Sequence, residues 1–361
     1  MGSSPLNHYA NLRALIQSDV WFSDGNIVLL AGQAAFKVHR GQLERHSDVF
    51  RDLFLIPQPP QQETIEGCSW VELHDSPPDV LHLLRALYDG MYFAQPSAGD
   101  FPAVAAVLRL STKYMIEHLR LRCLSRLEAD WPTTLVGWDV RETQVTDSLG
   151  RYKPRQGFPH PVLVIQLALE FGLDALLPSA FYDLSRYAPR KILSGCEISV
   201  LPFPPPHPSS PPEPGAPPVT EEKISVCLSQ HEVYTTLAGR ETCQRYVAAF
   251  IDRELSLRPI SAGCQNKQHD QGRACRESFY FIMLNILRSV GGIACGRDAD
   301  PLFTLLQAVD MLSRTDFSDG EKQCGLKLCA ACKADFAESA AKAREDVWTQ
   351  IPSWFGLTIE D

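Results

Sequence analysis

Between Phe22 and Tyr88 the apolar residues keep changing period, from two to 3.6 and back, and a stretch patterned this way needs a small sheet covered by helices. Phe22-Ser-Asp-Gly-Asn-Ile-Val-Leu-Leu alternates around Asp24-Gly25 and is followed by Ala35-Phe-Lys-Val-His39, which predicts a β-hairpin. Leu43, Val49, Phe50, Leu53 and Phe54 then fall at helical spacings and predict two short helices between Arg40 and Leu55. Trp70-Val-Glu-Leu73 alternates again. Ser76 is a capping residue followed by Pro77 at the first helical position and Asp79 in the first turn, with Gly90 just past the end. The helix so bounded, Pro77 to Asp89, carries Val80, Leu83, Leu84 and Leu87 on one face. Val104, Val107, Leu108, Met115 and Leu119 keep the same period and predict one further helix. The expectation is an α+β domain over residues 18–130, behind a tail over 1–17.

Beyond Trp131-Pro132 the pattern lapses. Residues 131–161 are rich in Gly, Pro, Thr and charge and predict an irregular linker or insertion. Val162, Ile165, Leu169, Leu173 and Leu176 form a helix face, and Ala180 to Leu193 a second helix, giving a helical unit over 162–201. The run Pro202 to Pro218, PFPPPHPSSPPEPGAPP, cannot build a packed core and favours an extended polyproline II spacer. Residues 219–361 predict a helical C-terminal region with a Cys-rich end. Two helices are expected between Thr220 and Leu255, an amphipathic one through Phe279, Ile282, Met283, Ile286, Leu287 and Val290, and another opening at Asp300-Pro301. No repeat period emerges.

Composition narrows the function classes. Hydrophobic residues make up 45% of 361, enough for real cores. The 34 basic residues face 43 acidic ones, a formal charge of −9, so no overall positive field collects phosphate backbones and nucleic acid is an unfavoured partner. No apolar run approaches the roughly 20 residues that span a bilayer. The start MGSSPLNHYANLRAL lacks a basic n-region and an apolar h-region, and Leu6 does not suit myristoylation of Gly2. A cytoplasmic or nuclear location is therefore expected, where thiols stay reduced.

The order strand, strand, Val-His-Arg, helix, Leu-Glu-Arg-His-Ser-Asp-Val-Phe, strand, Leu-Leu-Arg-Ala-Leu-Tyr-Asp-Gly resembles the BTB/POZ family. Its most telling residues are Asp19-Val20, Phe36, His39, Leu43, Ser47, Phe50, Leu53 and Phe54, then Leu84, Leu87, Tyr88 and Gly90. The likeness runs from about Ser18 to Leu127, roughly a third of the chain. It implies a packing role for His39 at a strand-to-helix junction. It also implies that Asp19 and Arg40 hold the positions of a charged pair that in many members lines a dimer groove, two solvated charges being the other reading. Such members dimerise or bind ubiquitin-ligase scaffolds, repressor tails or other proteins, so the resemblance implies protein partners without selecting one. The remainder, with Leu167-Ala-Leu-Glu-Phe-Gly-Leu-Asp-Ala-Leu-Leu-Pro178 and an ending of Cys-x-x-Cys, helix, Trp, Pro and Trp-Phe-Gly-Leu, is similar to BTB proteins abundant in mushroom-forming fungi.

Eleven cysteines are scattered thinly over the first two-thirds of the chain and crowd toward its end. Cys329 and Cys332 form a C-x₂-C pair, the spacing that presents two ligands to a tetrahedral Zn²⁺. Cys264 and Cys275 are the candidates for the second pair, with His269 and Cys324 as substitutes, and the ion would be structural. The other reading is a core of buried thiols, because Cys329, Cys332, Phe336, Ala340, Ala343 and Val347 share one helix face. A nucleophilic cysteine would need a partnered base. Cys227 and His231, at i and i+4 of an expected helix, are the nearest local pair.

No glycine-rich phosphate loop, H-E-x-x-H, G-x-S-x-G or kinase signature is present. The reading reached is a non-enzymatic interaction protein, an adapter or regulatory scaffold that associates with itself or with other proteins through its BTB domain. The alternatives are a nuclear transcription regulator with a Cys-rich zinc module and a substrate adapter of a cullin-type ubiquitin ligase. Against the DNA regulator, Cys329 to Arg344 mixes Asp335 and Glu338 with Lys333, Lys342 and Arg344 instead of forming a basic helix. Trp348, Trp354 and Phe355 are expected to pack back on the helical region.

Overall fold

A computed structural model describes residues 15–57, 64–90, 97–146, 152–200, 222–287, 298–315, 317–319 and 322–358. The proline-rich run, most of the tail and Val290 lie outside the described residues. The chain divides into two compact units, the first built on residues 1–130 with 144–159 and 197–225, the second on 131–143, 160–196 and 226–361.

The first unit carries a four-stranded sheet of order β1-β3-β2-β4, with β1 Ile16–Trp21, β2 Ile27–Ala31, β3 Ala34–Val38 and β4 Ser69–Leu73. β2 and β3 form the antiparallel hairpin, but it turns at Gly32, whose φ of 53° favours a residue without Cβ. The Asp24-Gly25 turn instead ends β1, which runs parallel to β3 at the sheet's edge. Both inner strands are buried along their whole length, since they are covered on two faces. On one face Val28, Leu30 and Ala35 pack against Trp21 and Trp70. Lys37 on β3 keeps its ammonium on Glu66, 3.1 Å away, and over the Trp21 ring.

Helices α1 Arg40–His46, α2 Asp48–Leu55, α3 Pro77–Tyr88, α4 Phe101–Lys113 and α5 Glu117–Asp130 complete the fold around the sheet. The single helix expected through Val104 and Leu119 is two. The chain turns at Met115, whose φ of 55° is left-handed, and the Ile116 N–H closes back on the Ser111 carbonyl at 2.8 Å. Ser47 fixes this corner. Its hydroxyl accepts from the Phe50 N–H at 3.0 Å, capping α2, and donates to the Tyr114 carbonyl at 2.6 Å. Phe50 stacks on the Tyr114 ring at 4.4 Å. Ser47→Ala is expected to cost about 2 kcal/mol, the sum of a lost cap and a stranded buried carbonyl. Urea denaturation checks this; a loss under about 0.5 kcal/mol would refute the double role.

The second unit is helical: α6 Leu135–Gln144, α7 Pro161–Phe171, α8 Leu177–Ser185, α9 Gln230–Ile251, α10 Arg273–Asn285, α11 Pro301–Asp310 and α12 Ala330–Trp354. The segment expected to be irregular after Trp131 thus forms α6, with Trp138 and Arg141 buried. The face expected to run from Val162 to Leu176 is interrupted at Gly172, φ 63°, which caps α7. In place of two helices between Thr220 and Leu255 there is a strand, Glu222–Val226, all but its last residue belonging to the first unit, then α9 as a single 22-residue helix continuing into a wide turn over Asp252–Ser256. α8 packs on α7, α9 and α12, and α12 also packs on α9 and α11.

The C-terminal aromatics pack back as expected. Phe355 stacks on Phe181 with ring centres 5.8 Å apart, Trp354 lies against Tyr246, and Trp348 against Trp138.

Candidate functional site

On the sheet domain His39 sits where β3 passes into α1. Its backbone N–H donates to the Tyr88 hydroxyl at 2.9 Å, and its ring packs beside Phe22 and Tyr88. That is the packing role read for it. Asp19 and Arg40 are both exposed, yet within the chain they do not pair with each other. Asp19 receives the Arg85 guanidinium at 2.5 Å, an ion pair that outweighs partial burial and holds its carboxyl below the usual range. Arg40 pairs with Glu44 at 2.7 Å, donates to the Phe54 carbonyl at 3.2 Å and lies over the Phe54 ring.

In the helical unit four cysteines converge. The Sγ atoms of Cys264, Cys275, Cys329 and Cys332 all lie within 4.8 Å of one another, and all four residues are buried. The C-x₂-C spacing works because Cys329 is the N-cap of α12 and Cys332 lies in its first turn, so both sulfurs meet on one side of the helix start. Cys275 is positioned by the start of α10. There the Asp270 carboxylate accepts from the N–H groups of Gly272 and Ala274, both at 2.9 Å, an arrangement that lowers its pKa. Cys264 comes from the loop before it, where Asn266 bridges Cys275 Sγ at 3.3 Å and the Lys327 carbonyl at 3.2 Å. His269 is exposed on the one-turn helix Lys267–Asp270 and is not in the group. The Cys324 side chain falls outside the described residues.

Burial pushes the Cys275 and Cys332 thiols up. At Cys329 burial acts the same way but is outweighed by hydrogen bonds from the N–H groups of Cys332 and Gln265 and from the Cys332 and Cys264 thiols, which bring it down to about 6. By contrast Cys243, on α9, is raised to about 12, by burial first and then by Asp300. Cys227 lies before α9 rather than on it, with its thiol 3.5 Å from the Ser194 carbonyl, so it does not share a helix with His231 at i,i+4.

A third constellation was not anticipated. Arg141 and Asp183 meet at 2.9 Å with side chains each 1% exposed. Arg186 joins the same carboxylate at 2.6 Å and reaches Glu142 at 2.8 Å and Asp300 at 3.3 Å. Tyr182 donates to Asp300 at 2.8 Å, and burial together with that carboxylate holds its phenol well above the usual range. The guanidinium of Arg141 lies between the rings of Trp131 and Trp138, 4.5 and 4.9 Å from their centres. The sequence signal was the pairing of Trp138 with Arg141 one turn on.

Residues 21–130 match the family model of the BTB/POZ domain. The chain therefore contains a BTB/POZ domain, a module that generally mediates protein–protein association and is not an enzyme family. No curated protein matches the chain, so no homologue shows the expected similarity to the BTB proteins of mushroom-forming fungi. Among the described residues no helix is long and apolar enough to cross a membrane.

Proposed function

We propose that this chain is a non-enzymatic association protein that forms a homodimer through its BTB domain and acts as an adapter or regulatory scaffold, with the helical unit offering a partner surface. The observation that carries the reading is the BTB match over residues 21–130. Three features of the domain support it. Asp19 and Arg40 are exposed yet held in place by Arg85, Glu44 and Phe54, so little side-chain freedom is lost when a partner charge meets them. Leu55 and Ile56, directly after the Phe54 carbonyl that holds Arg40, are 70% and 57% exposed. β1 stands at the edge of the sheet among the described strands.

Light scattering of the full chain over a range of concentrations tests this. A mass twice that of the chain is expected, and Arg40→Glu is expected to weaken the dimer roughly tenfold, about 1.4 kcal/mol. A monomer at every concentration, together with no partner recovered by proximity labelling in the native cell, would overturn it.

A further inference from the structure

We propose that Cys264, Cys275, Cys329 and Cys332 form a closed tetrathiolate site for one structural Zn²⁺, which ties the loop before α10 and α10 itself to the start of α12.

The argument is geometric. A tetrahedral ion with Zn–S bonds of about 2.3 Å sets its sulfurs about 3.8 Å apart. The Sγ of Cys264 is 3.8 Å from that of Cys275 and 3.8 Å from that of Cys329. All four sulfurs fit inside 4.8 Å, so they close around a single ion. An iron–sulfur cluster puts inorganic sulfide and more than one iron between its cysteines, which requires a wider cage than this. The four cysteines are not joined as disulfides.

The surroundings are those of bound thiolates rather than packed thiols. A thiol is a weak hydrogen-bond acceptor and a metal-bound thiolate a better one, and two N–H donors are aimed at Cys275 Sγ: the Cys329 backbone N–H at 3.5 Å and the Asn266 amide at 3.3 Å. Asn266 is itself held by the Lys327 carbonyl at 3.2 Å. Two of the four sulfurs come from the N-terminal turn of a 25-residue helix, whose dipole favours negative charge there. With four protein ligands no coordination position stays open for water, which makes the site structural and not catalytic.

The test uses the full chain purified without chelator. One zinc per chain is expected by elemental analysis. After the metal is removed under reducing conditions, Co²⁺ is expected to restore one equivalent of metal with a thiolate-to-cobalt charge-transfer band and the d–d bands of tetrahedral cobalt. Cys332→Ser is expected to lose that metal, while Cys243→Ser, which alters a buried thiol on α9, retains it. If Cys332→Ser does not fold, the wild-type cobalt spectrum decides. Wild-type protein that carries no metal and yields no tetrahedral cobalt spectrum would overturn the proposal, as would iron with acid-labile sulfide.

Discussion

Asp183→Ala is expected to destabilise the helical unit by about 3–5 kcal/mol, the cost of removing one partner of a buried ion pair. The carboxylate holds two guanidinium groups at once, Arg141 at 2.9 Å and Arg186 at 2.6 Å. Arg186 has Glu142 and Asp300 in reserve, whereas Arg141 would lose its buried 2.9 Å carboxylate while keeping a 3.2 Å contact with Glu142 and the two indole rings. The loss therefore falls on Arg141 above all. The double variant Arg141→Met with Asp183→Leu removes both charges and is expected to recover most of the loss, because a well-packed apolar pair of similar volume often matches a buried ion pair. Urea unfolding followed by tryptophan fluorescence checks this, since four of the six tryptophans, Trp131 and Trp138 among them, lie in the helical unit. A single variant losing less than about 1 kcal/mol would show that the charges are not buried in solution.

The second large effect concerns the end of α12. Phe355 is 2% exposed and stacks on Phe181, and its ring occupies the space where a side chain at Gly239 would begin. Phe355→Ala is expected to cost about 3–5 kcal/mol as a large-to-small core change. Gly239→Ala should cost about 1–3 kcal/mol in the wild-type background, since the added methyl overlaps the ring. That sign is unusual, because glycine inside a helix is normally worse than alanine by about 1 kcal/mol. In the Phe355→Ala background the overlap is gone, and Gly239→Ala should become neutral or stabilising by up to about 1 kcal/mol. A four-way thermodynamic cycle measures this coupling; simple additivity would refute the steric account.

The parts of the fold legible in the sequence are those where local chemistry and burial agree. Ser76, Pro77 and Asp79 announced α3, and the i, i+3, i+4 faces of α2 and α3 are the faces they bury. The corner at Met115 was illegible because neither glycine nor proline marks it; a tertiary bond from Ser47 to the Tyr114 carbonyl helps hold it. α6 escaped for a related reason. Its interior side is Trp138 and Arg141, and an arginine reads as solvent-facing until Asp183, 42 residues away, is known to receive it.

The cysteine group lies between these cases. Cys329-x-x-Cys332 is a local signal, and Cys264 and Cys275, named as its candidate partners, lie with it in one buried group. The choice among Cys264, His269, Cys275 and Cys324 depended on how the loop from Leu257 to Gly272 folds. Asn266 and Asp270 decide that, through bonds that leave no periodic trace.

The scattered origin of the helical unit has a consequence for biosynthesis. The four strands and five α-helices described for the BTB domain come from one continuous stretch ending at Asp130, so that domain can close while the ribosome is still extending the chain. The helical unit cannot. Arg141 needs Asp183, Arg186 also needs Asp300, Trp138 waits for Trp348, and Gly239 waits for Phe355. At ordinary synthesis rates the wait from α6 to α12 is on the order of tens of seconds. Throughout it the nascent chain holds Trp138 and the space above Gly239 without the C-terminal aromatics that cover them, making this interval the window in which chaperone contact would matter most.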